Sequence, residues 1–416
     1  MLKFSQPSNN AIAILAGVFS NNLALGIYTL SLGKLLFDAS GAVQHFATIM
    51  VIEQVLFVLL GMLAGNIVDS FKTSLIAGKA NLVFALACFL LVACVYTGGP
   101  EGISLTGASL MIGMMFSSSR AFFRPALFRM PPEVVSEGQL QAFNARMTVC
   151  IQSGQLIGAA AAGVLIGLGT IEVPLLISGV LYALAAVIFL ISPLPYAVQR
   201  KKGGSLLKVL KDTPRSWVSP IKVAWGDKSS FYTLVTVGAD FLTISLFNLL
   251  LAPWCEILFN GVYSWMGGLE MAFAIGAILG GWILTRKLNA LAPSSARQLG
   301  LLLQALAWAA SFILISPWGF IAIACCLGMG VAISSTSVLT LLQASLPREI
   351  HGRAGVIRSI AISVSVGVLL PVLTIQVESS IKGASVLMAL FLGVFMMLAI
   401  LPMKQRKPIN TVYKTE

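Results

Sequence analysis

Among the charged and amide side chains inside long apolar runs of the sequence, five are the leading candidates for chemistry. Two are carboxylates, Glu53 and Asp240, each near the middle of its run. The others are Arg120, towards one end of its run, and the adjacent amides Asn21 and Asn22 in the middle of the first run. A charge at the centre of a membrane helix costs about 2.5–3.5 kcal/mol on insertion scales, so it usually faces water or a partner. We therefore expect these residues to line a path or to pair with one another.

A proton carrier is the most specific chemistry that the two carboxylates allow. Loss of surrounding water favours the protonated form of a carboxylate, which lets it take up and release a proton. Asp240 is the stronger candidate and Glu53 the second. The alternatives are a buried salt bridge, for example between Asp240 and Arg120, a permanent pair of Arg120 with Glu53, or a carboxylate that only packs. Arg120 is also a candidate for attracting an anionic group of a substrate.

The composition places the chain in a membrane. Of 416 residues, 57% are hydrophobic and 10% charged, with a mean hydropathy of +0.92, whereas soluble proteins carry about 25% charged residues. The formal net charge of +12 does not indicate nucleic-acid binding, because the basic residues lie mostly between apolar runs rather than on one face or tail. We expect the lipid bilayer as a partner and no nucleic acid.

Twelve apolar runs approach the length of about 20 residues that a helix needs to span a membrane. In hydrocarbon the backbone must bond within its own segment, so the runs are predicted to be helices. They cover residues 11–33, 43–67, 78–97, 104–126, 140–168, 172–193, 230–255, 265–285, 298–316, 318–342, 354–377 and 383–403.

The distribution of cations predicts the orientation of these helices. With a cytoplasmic N-terminus, all of the 27 Lys and Arg residues except Lys34 and Lys382 fall on the cytoplasmic side, as the positive-inside rule requires. Both termini are then cytoplasmic, and the inner membrane is the expected location. A basic stretch at 194–229, with apolar residues at helical spacing, predicts an amphipathic helix on the anionic leaflet.

The basic stretch also divides the chain into domains. We predict an N-terminal six-helix bundle over 1–193, a cytoplasmic linker over 194–229, a C-terminal six-helix bundle over 230–403 and a cytoplasmic tail over 404–416. Pro131-x-Glu133 and Pro347-x-Glu349 lie 216 positions apart, and the same offset relates Gly65 to Gly281. A two-fold internal repeat in a membrane protein is typical of secondary transporters.

Local motifs add a family resemblance. Gly65-Asn-Ile-Val-Asp69-Ser-Phe-Lys72-Thr73 resembles the loop signature Gly-x-x-x-Asp-Arg-x-Gly-Arg of the major facilitator superfamily, and Gly281-Trp-Ile-Leu-Thr-Arg286-Lys287 resembles its weaker second copy. The first copy departs from the signature at Ser70, where Arg is usual, and at Lys72 and Thr73, where Gly and Arg are usual. Together with the twelve runs, the resemblance implies an all-α integral membrane protein with two pseudo-symmetric six-helix bundles.

Two longer stretches resemble one branch of that superfamily more narrowly. They run from Pro125 to Glu133 and from Gln343 to Arg353, and both are similar to sequences of macrolide and siderophore exporters. A third feature, the glycine series Gly154, Gly158 and Gly163, resembles the glycine ladder of antiporters in the superfamily, although Ala159 stands where proline is usual. Small residues at this spacing also serve simple helix packing.

The resemblance implies roles for particular residues. Helices one, four, seven and ten line the central path in the superfamily, which makes Asn21, Asn22, Arg120 and Asp240 the path candidates. Charged residues at cytoplasmic helix ends could pair to hold that face closed, although solvated charges at helix ends are the alternative. The gate candidates are Gly65, Asp69, Lys72, Glu133, Arg286, Lys287, Glu349 and Arg353.

Several other classes of protein are disfavoured. The sequence has no phosphate-binding Gly-x-x-x-x-Gly-Lys-Ser/Thr loop and no catalytic constellation of a hydrolase, so we do not expect an enzyme. The six cysteines lie within or at the ends of apolar runs with no nearby histidine, which indicates buried small side chains. No metal or other cofactor is expected. A signalling receptor would be expected to have a larger cytoplasmic domain.

The predicted function is therefore secondary transport of a small-molecule substrate with protons, by a chain that works as a monomer. We favour an antiporter that exports the substrate by alternating access, with siderophores first because Arg120 would suit a carboxylate-rich cargo. Multidrug or macrolide efflux is an alternative, favoured by Met and Phe side chains on the fourth run. Import of a nutrient by proton symport is another.

Overall fold

The structure is a computed structural model. It describes residues 9–40, 56, 59–97, 104–167, 171–192, 217, 228–254, 259–260, 264–286, 291–313, 316–346 and 350–400. The candidates Glu53, Lys287 and Glu349 lie outside these residues, as do the C-terminal tail and all of the predicted linker apart from Trp217 and the first residues of the helix that begins at Lys228.

The described residues are almost entirely helical, as the apolar runs predict. In the first half of the chain the helices are α1 Asn9–Ser40, α2 Leu59–Ser70, α3 Thr73–Thr97, α4 Leu105–Arg129, α5 Pro131–Val134, α6 Leu140–Gly167 and α7 Glu172–Ile191. In the second half they are α8 Lys228–Val235, α9 Ala239–Pro253, α10 Ser264–Arg286, α11 Pro293–Ile313, α12 Pro317–Ser345, α13 His351–Ser379 and α14 Ile381–Ile400. Each of the twelve predicted runs overlaps at least one of these helices.

Length and composition allow ten of the described helical segments to cross a membrane. The segment Phe231–Leu251, which combines most of α8 and α9, is one of them, and α2 is a shorter apolar helix. Large apolar side chains such as Leu59, Ile191 and Trp318 are exposed on the outside of the helices. In a bilayer, lipid replaces water on such surfaces, so their exposure carries no hydrophobic penalty.

Two compact units make up the chain. Unit 1 comprises Met1–Val218 together with Pro347–Ile357, and unit 2 comprises Ser219–Leu346 together with Arg358–Glu416. The helix α13 is thus shared: its first seven residues, 351–357, belong to unit 1 and the remainder to unit 2.

Aromatic side chains form the centre of each unit. In unit 1, Phe84 contacts Phe116 and Tyr182, with ring centroids 4.4 and 5.1 Å away. Phe116, one of the Phe side chains on the fourth run, thus packs inside unit 1. In unit 2, Trp254 lies 4.8 Å from Phe320 and 6.0 Å from Trp308.

Glycines allow two helix pairs to pack with their backbones close together. On α6, Gly154 faces α1, and an added Cβ would lie 2.9 Å from the carbonyl oxygen of Phe19. On α10, a Cβ at Gly276 would overlap the carbonyl group of Cys325 on α12. Gly154 and Gly158 of the glycine series on α6 therefore have a packing role, whichever transport class the protein belongs to.

We predict that Gly276→Ala destabilises the protein, because the new methyl group must push α10 away from α12. Overpacking of this kind costs about 1–3 kcal/mol and should lower the melting temperature of the purified protein in detergent. The matched control is Gly393→Ala on α14, where a Cβ meets no atom within 4 Å and the better helix propensity of alanine gains about 1 kcal/mol. Equal melting temperatures for the two variants would contradict the packing argument.

Candidate functional site

Asp69 is the centre of a buried cluster of four charged side chains in unit 1. Its Oδ1 atom lies 2.7 Å from Nη1 of Arg129, and its Oδ2 atom lies 2.7 Å from Nε of Arg353. Arg129 also donates from Nε to Oε1 of Glu133 at 2.8 Å. The side chains of Asp69, Arg129 and Glu133 are each less than 5% exposed. The charges of the two acids and the two arginines cancel, and this pairing offsets the free-energy cost of burying ions away from water.

The carboxylate of Asp69 also caps a helix from outside its own segment. The backbone N–H groups of Gly352 and Arg353, in the first turn of α13, donate to Oδ1 at 2.6 Å and to Oδ2 at 3.2 Å. The first N–H groups of a helix have no partner within the helix and carry partial positive charge, so they bind carboxylates well. Asp69 therefore ties the start of α13 to the end of α2.

Two glycines make this approach possible. An added Cβ at Gly65 would lie 3.0 Å from Cα of Arg353, and one at Gly352 would lie 2.7 Å from the carbonyl oxygen of Gly65. The same added Cβ at Gly65 would lie 3.2 Å from the ring of Trp217. The ring is held there because its Nε1 donates to the carbonyl oxygen of Met62 at 3.1 Å. The glycine that opens the sequence signature is thus required by close backbone packing.

The cations of the cluster come from outside the signature loop. Ser70, which stands where arginine is usual, donates its hydroxyl to the carbonyl of Asn66 at 2.8 Å, and Lys72 is exposed. Arg129 and Arg353 take the cationic role instead, from 60 and 284 positions further along the chain. Sequence reasoning missed Arg129, although its spacing of four residues from Glu133 on a helical stretch was a signal for a pair.

The second copy of the signature does not repeat the cluster within the described residues. The offset of 216 positions places Thr285 opposite Asp69, and its hydroxyl bonds only to the carbonyl of Gly281 in its own helix, at 2.8 Å. Arg286 is exposed at the end of α10.

A second buried acid, Asp240, lies in unit 2 at the start of α9. The helical run is interrupted at 236–238, just before it, and Gly238 there packs against Ser365 of α13 without room for a Cβ. Gln304 of α11 donates to Oδ1 of Asp240 at 2.9 Å, and Ser334 of α12 donates to Oδ2 at 3.2 Å. Asp240 is 2% exposed.

Neutral groups hold this carboxylate in place. The orientation of Gln304 is fixed because its Oε1 accepts a hydrogen bond from Thr243 at 2.7 Å, which leaves its amide to donate to Asp240. Arg297 and Arg358 interact electrostatically with Asp240, yet neither forms a direct ion pair with it in the part of the chain that the structure describes. The salt bridge between Asp240 and Arg120, which the sequence analysis kept as an alternative, is likewise not among the described contacts of Asp240.

A family model described as Major Facilitator Superfamily matches residues 12–371 of the sequence. The match covers well over half of the chain. The protein belongs to the Major Facilitator Superfamily. Comparison with curated proteins gave no significant sequence match.

Solved structures of transporters have the same fold. A bacterial homologue of the iron transporter ferroportin, in an outward-facing state, gives a TM-score of 0.73 at 15% identity, over 95% of this chain and 100% of that chain. FucP, the fucose:proton symporter of E. coli, in its outward conformation gives 0.72 at 14%, over 96% and 99%. The human organic anion transporter MFSD10 gives 0.68 at 12%, over 95% and 100%.

These findings confirm the predicted fold class and the broad function. The chain is an all-α, multi-pass membrane protein with the major facilitator fold, and it is a transporter rather than an enzyme. The narrower resemblance to macrolide and siderophore exporters stays a prediction, since identities this low establish the fold alone.

The path candidates of the transporter have different surroundings. Asn21 donates to Oδ1 of Asn81 on α3 at 2.7 Å, and Asn22 accepts from Nε2 of Gln155 on α6 at 3.0 Å. Both amides are buried between helices of unit 1. Arg120 is partly buried on α4. Their roles in the path stay predictions.

We predict that Arg129→Gln strongly destabilises the transporter, because it removes the charge that Asp69 and Glu133 share. Breaking a buried ion pair from one side costs about 3–5 kcal/mol, which should appear as a large fall in melting temperature. Lys72→Gln, which removes an exposed cation beside the same loop, is the control and should change little. The proposed charge balance would be refuted by similar melting temperatures for the two variants.

Proposed function

We propose that this protein is a proton-coupled secondary transporter of a small organic solute, working by alternating access, with Asp240 as the coupling acid. One observation carries the proposal: Asp240 is fully enclosed, is bonded only to the neutral donors Gln304 and Ser334, and has no direct ion pair among the described residues. A carboxylate locked to an arginine stays ionised, whereas one held by neutral donors can take up a proton without breaking a direct ion pair. Glu53, outside the described residues, stays a second candidate.

The Asp69 cluster supports the conformational half of the proposal. It ties the start of α13 to α2 and to the end of α4 through four hydrogen bonds to one carboxylate. In the orientation predicted by the positive-inside rule, this cluster lies on the cytoplasmic side. We assign it the role of a lock that keeps this side closed and opens when the bonds to Asp69 break. Two of the similar solved structures are outward-facing, a state in which the cytoplasmic side is closed.

The substrate class and the direction of transport are proposed from the sequence rather than from the fold. The similar structures include a fucose:proton symporter, a homologue of an iron transporter and an organic anion transporter, so the shared fold does not select a substrate. The sequence favours export by antiport, with siderophores as the first class and macrolides or other drugs as the second. Nutrient import by symport is the alternative. Location in the inner membrane, cytoplasmic termini and action as a monomer belong to the same proposal.

We predict that Asp240→Asn abolishes proton movement while the protein still folds, because the amide keeps the shape and can still bond to Gln304 and Ser334. The assay uses proteoliposomes that contain the pH-sensitive dye pyranine, to which a panel of siderophores, macrolides, sugars and organic acids is added. A solute that moves protons with the wild-type protein should move none with the variant. The matched control, Glu270→Gln, changes an exposed acid on α10 and should behave as wild type. Undiminished flux driven by a pH gradient in Asp240→Asn would exclude Asp240 from coupling.

We predict that Asp69→Asn opens the lock. The amide can keep some hydrogen bonds, but it lacks the charge that attracts Arg129, Arg353 and the start of α13. Hydrogen exchange followed by mass spectrometry should show at least tenfold faster exchange in the peptide covering 350–357, including the N–H groups of Gly352 and Arg353. A lock of transport also predicts that a transported solute speeds exchange of this peptide in the wild-type protein. If exchange in this peptide is the same in the variant and the wild type, the cluster is not a lock.

A further inference from the structure

Among the described residues of unit 2, buried positive charge exceeds negative charge around Asp240. Two guanidinium groups, of Arg297 on α11 and Arg358 on α13, interact electrostatically with this one carboxylate. With Asp240 ionised, the three groups sum to one excess positive charge. The Asp69 cluster in unit 1 has two charges of each sign and no such excess.

Within the part of the chain that the structure describes, neither arginine has its hydrogen-bonding capacity filled. Arg297 is 2% exposed and donates from Nη2 to the hydroxyl of Thr236, but its Nε is buried with no hydrogen-bond partner. Arg358 is partly buried, its Nε also lacks a partner, and its guanidinium carbon lies 5.9 Å from the ring centroid of Phe241. Buried donors are almost always paired in folded proteins, so two unpaired guanidinium N–H groups beside one acid indicate a missing acceptor.

The charge of Arg297 is not needed to pack the helices. The offset of 216 positions that relates the two Pro-x-Glu motifs also relates Asn81 to Arg297. Asn81 joins α3 to α1 through a neutral hydrogen bond with Asn21, just as Arg297 joins α11 to the break before α9 through Thr236. The first half of the chain makes the corresponding contact with the neutral amide of Asn81. The positive charge of Arg297 therefore has a role other than joining the two helices.

We propose that Arg297 and Arg358 form a binding site for an acidic group of the transported solute, most simply a carboxylate. This inference rests on the proposed transport function and adds the substrate class, a small organic acid. A carboxylate supplies one negative charge, which balances the excess, and planar oxygens that match the N–H groups of guanidinium. Phe241, beside Arg358, supplies an apolar surface for the carbon part of the acid.

The charges of Asp240, Arg297 and Arg358 also determine whether the proton and the acid move in the same direction or in opposite directions. Ionised Asp240 and the acid compete electrostatically for the two guanidinium groups, since the described groups that hydrogen-bond to Asp240, Gln304 and Ser334, are neutral. Protonation of Asp240 therefore strengthens binding of the acid, and binding of the acid favours protonation, because linkage is reciprocal. Proton and acid then move in the same direction. This arrangement favours symport over the antiport that the sequence analysis preferred.

The test measures binding by the full-length protein purified in detergent, followed as a shift in melting temperature. The probes are acetate, lactate, succinate and benzoate, each compared with its amide at equal ionic strength. We expect at least one carboxylate to raise the melting temperature more than its amide does, and more strongly at mildly acidic than at neutral pH. Arg358→Gln and Arg297→Asn should abolish this difference, while Arg358→Lys should weaken it. Lys79→Gln, which removes an exposed cation on α3, should leave it unchanged.

The melting temperatures of the same variants without any added carboxylate give a second test. If Arg358 carries an uncompensated charge, Arg358→Gln should melt at the same temperature as the empty wild-type protein or a few degrees higher. A purely structural arginine would give a large fall instead. The proposal is overturned if no carboxylate is preferred over its amide, if the preference survives in Arg358→Gln, or if both charge-removing variants fail to fold.

The binding test and the proton-flux assay exclude different hypotheses. Preferential binding of carboxylates without any proton movement in proteoliposomes would leave the anion site standing and remove proton coupling. Proton movement driven only by solutes without an acidic group would leave the transport function standing and remove the anion site.

Discussion

The free-energy cost of placing a charge away from water is the constraint on which both polar clusters depend. The interior of a membrane protein lowers that cost only by pairing charges or by hydrogen-bonding them fully. The Asp69 cluster satisfies this requirement with its own residues, because four charges cancel and the helix N-terminus supplies two more donors. The Asp240 cluster satisfies it only in part, since Asp240 is well bonded but the two arginines near it are not.

This difference assigns different work to the two clusters. A balanced cluster is stable without a ligand and is suited to holding one conformation until its bonds are broken together. An unbalanced cluster is more stable when a ligand supplies the missing charge, which is the basis of the proposed response to solute and to protons. The helix α13 belongs to both units, and it carries Arg353 of the first cluster and Arg358 of the second, five positions apart.

The internal repeat explains why each cluster occurs once in the described residues. Duplicated halves supply matching helices, and substitutions at matching positions then separate the roles. Thr285 stands opposite Asp69 and bonds within its own helix, while Arg297 stands opposite Asn81 and adds a charge where the first half has an amide. Close helix packing at glycines also occurs in both halves, at Gly154 between α6 and α1 and at Gly276 between α10 and α12, although these are not corresponding helix pairs.

The sequence by itself determined the membrane location, the helices and the family, because apolar run length and local motifs are properties of neighbouring residues. It also named Gly65, Asp69, Glu133 and Arg353, which the structure brings together. Only the tertiary structure showed that Arg129 bridges Asp69 and Glu133, that Asn21 and Asn22 bond to neighbouring helices, and that Arg297 and Arg358 flank Asp240. These partners lie on different helices, and no local pattern specifies which faces of two helices meet. That choice depends on how side chains and glycines fit across the whole unit, which is a property of the packed helices.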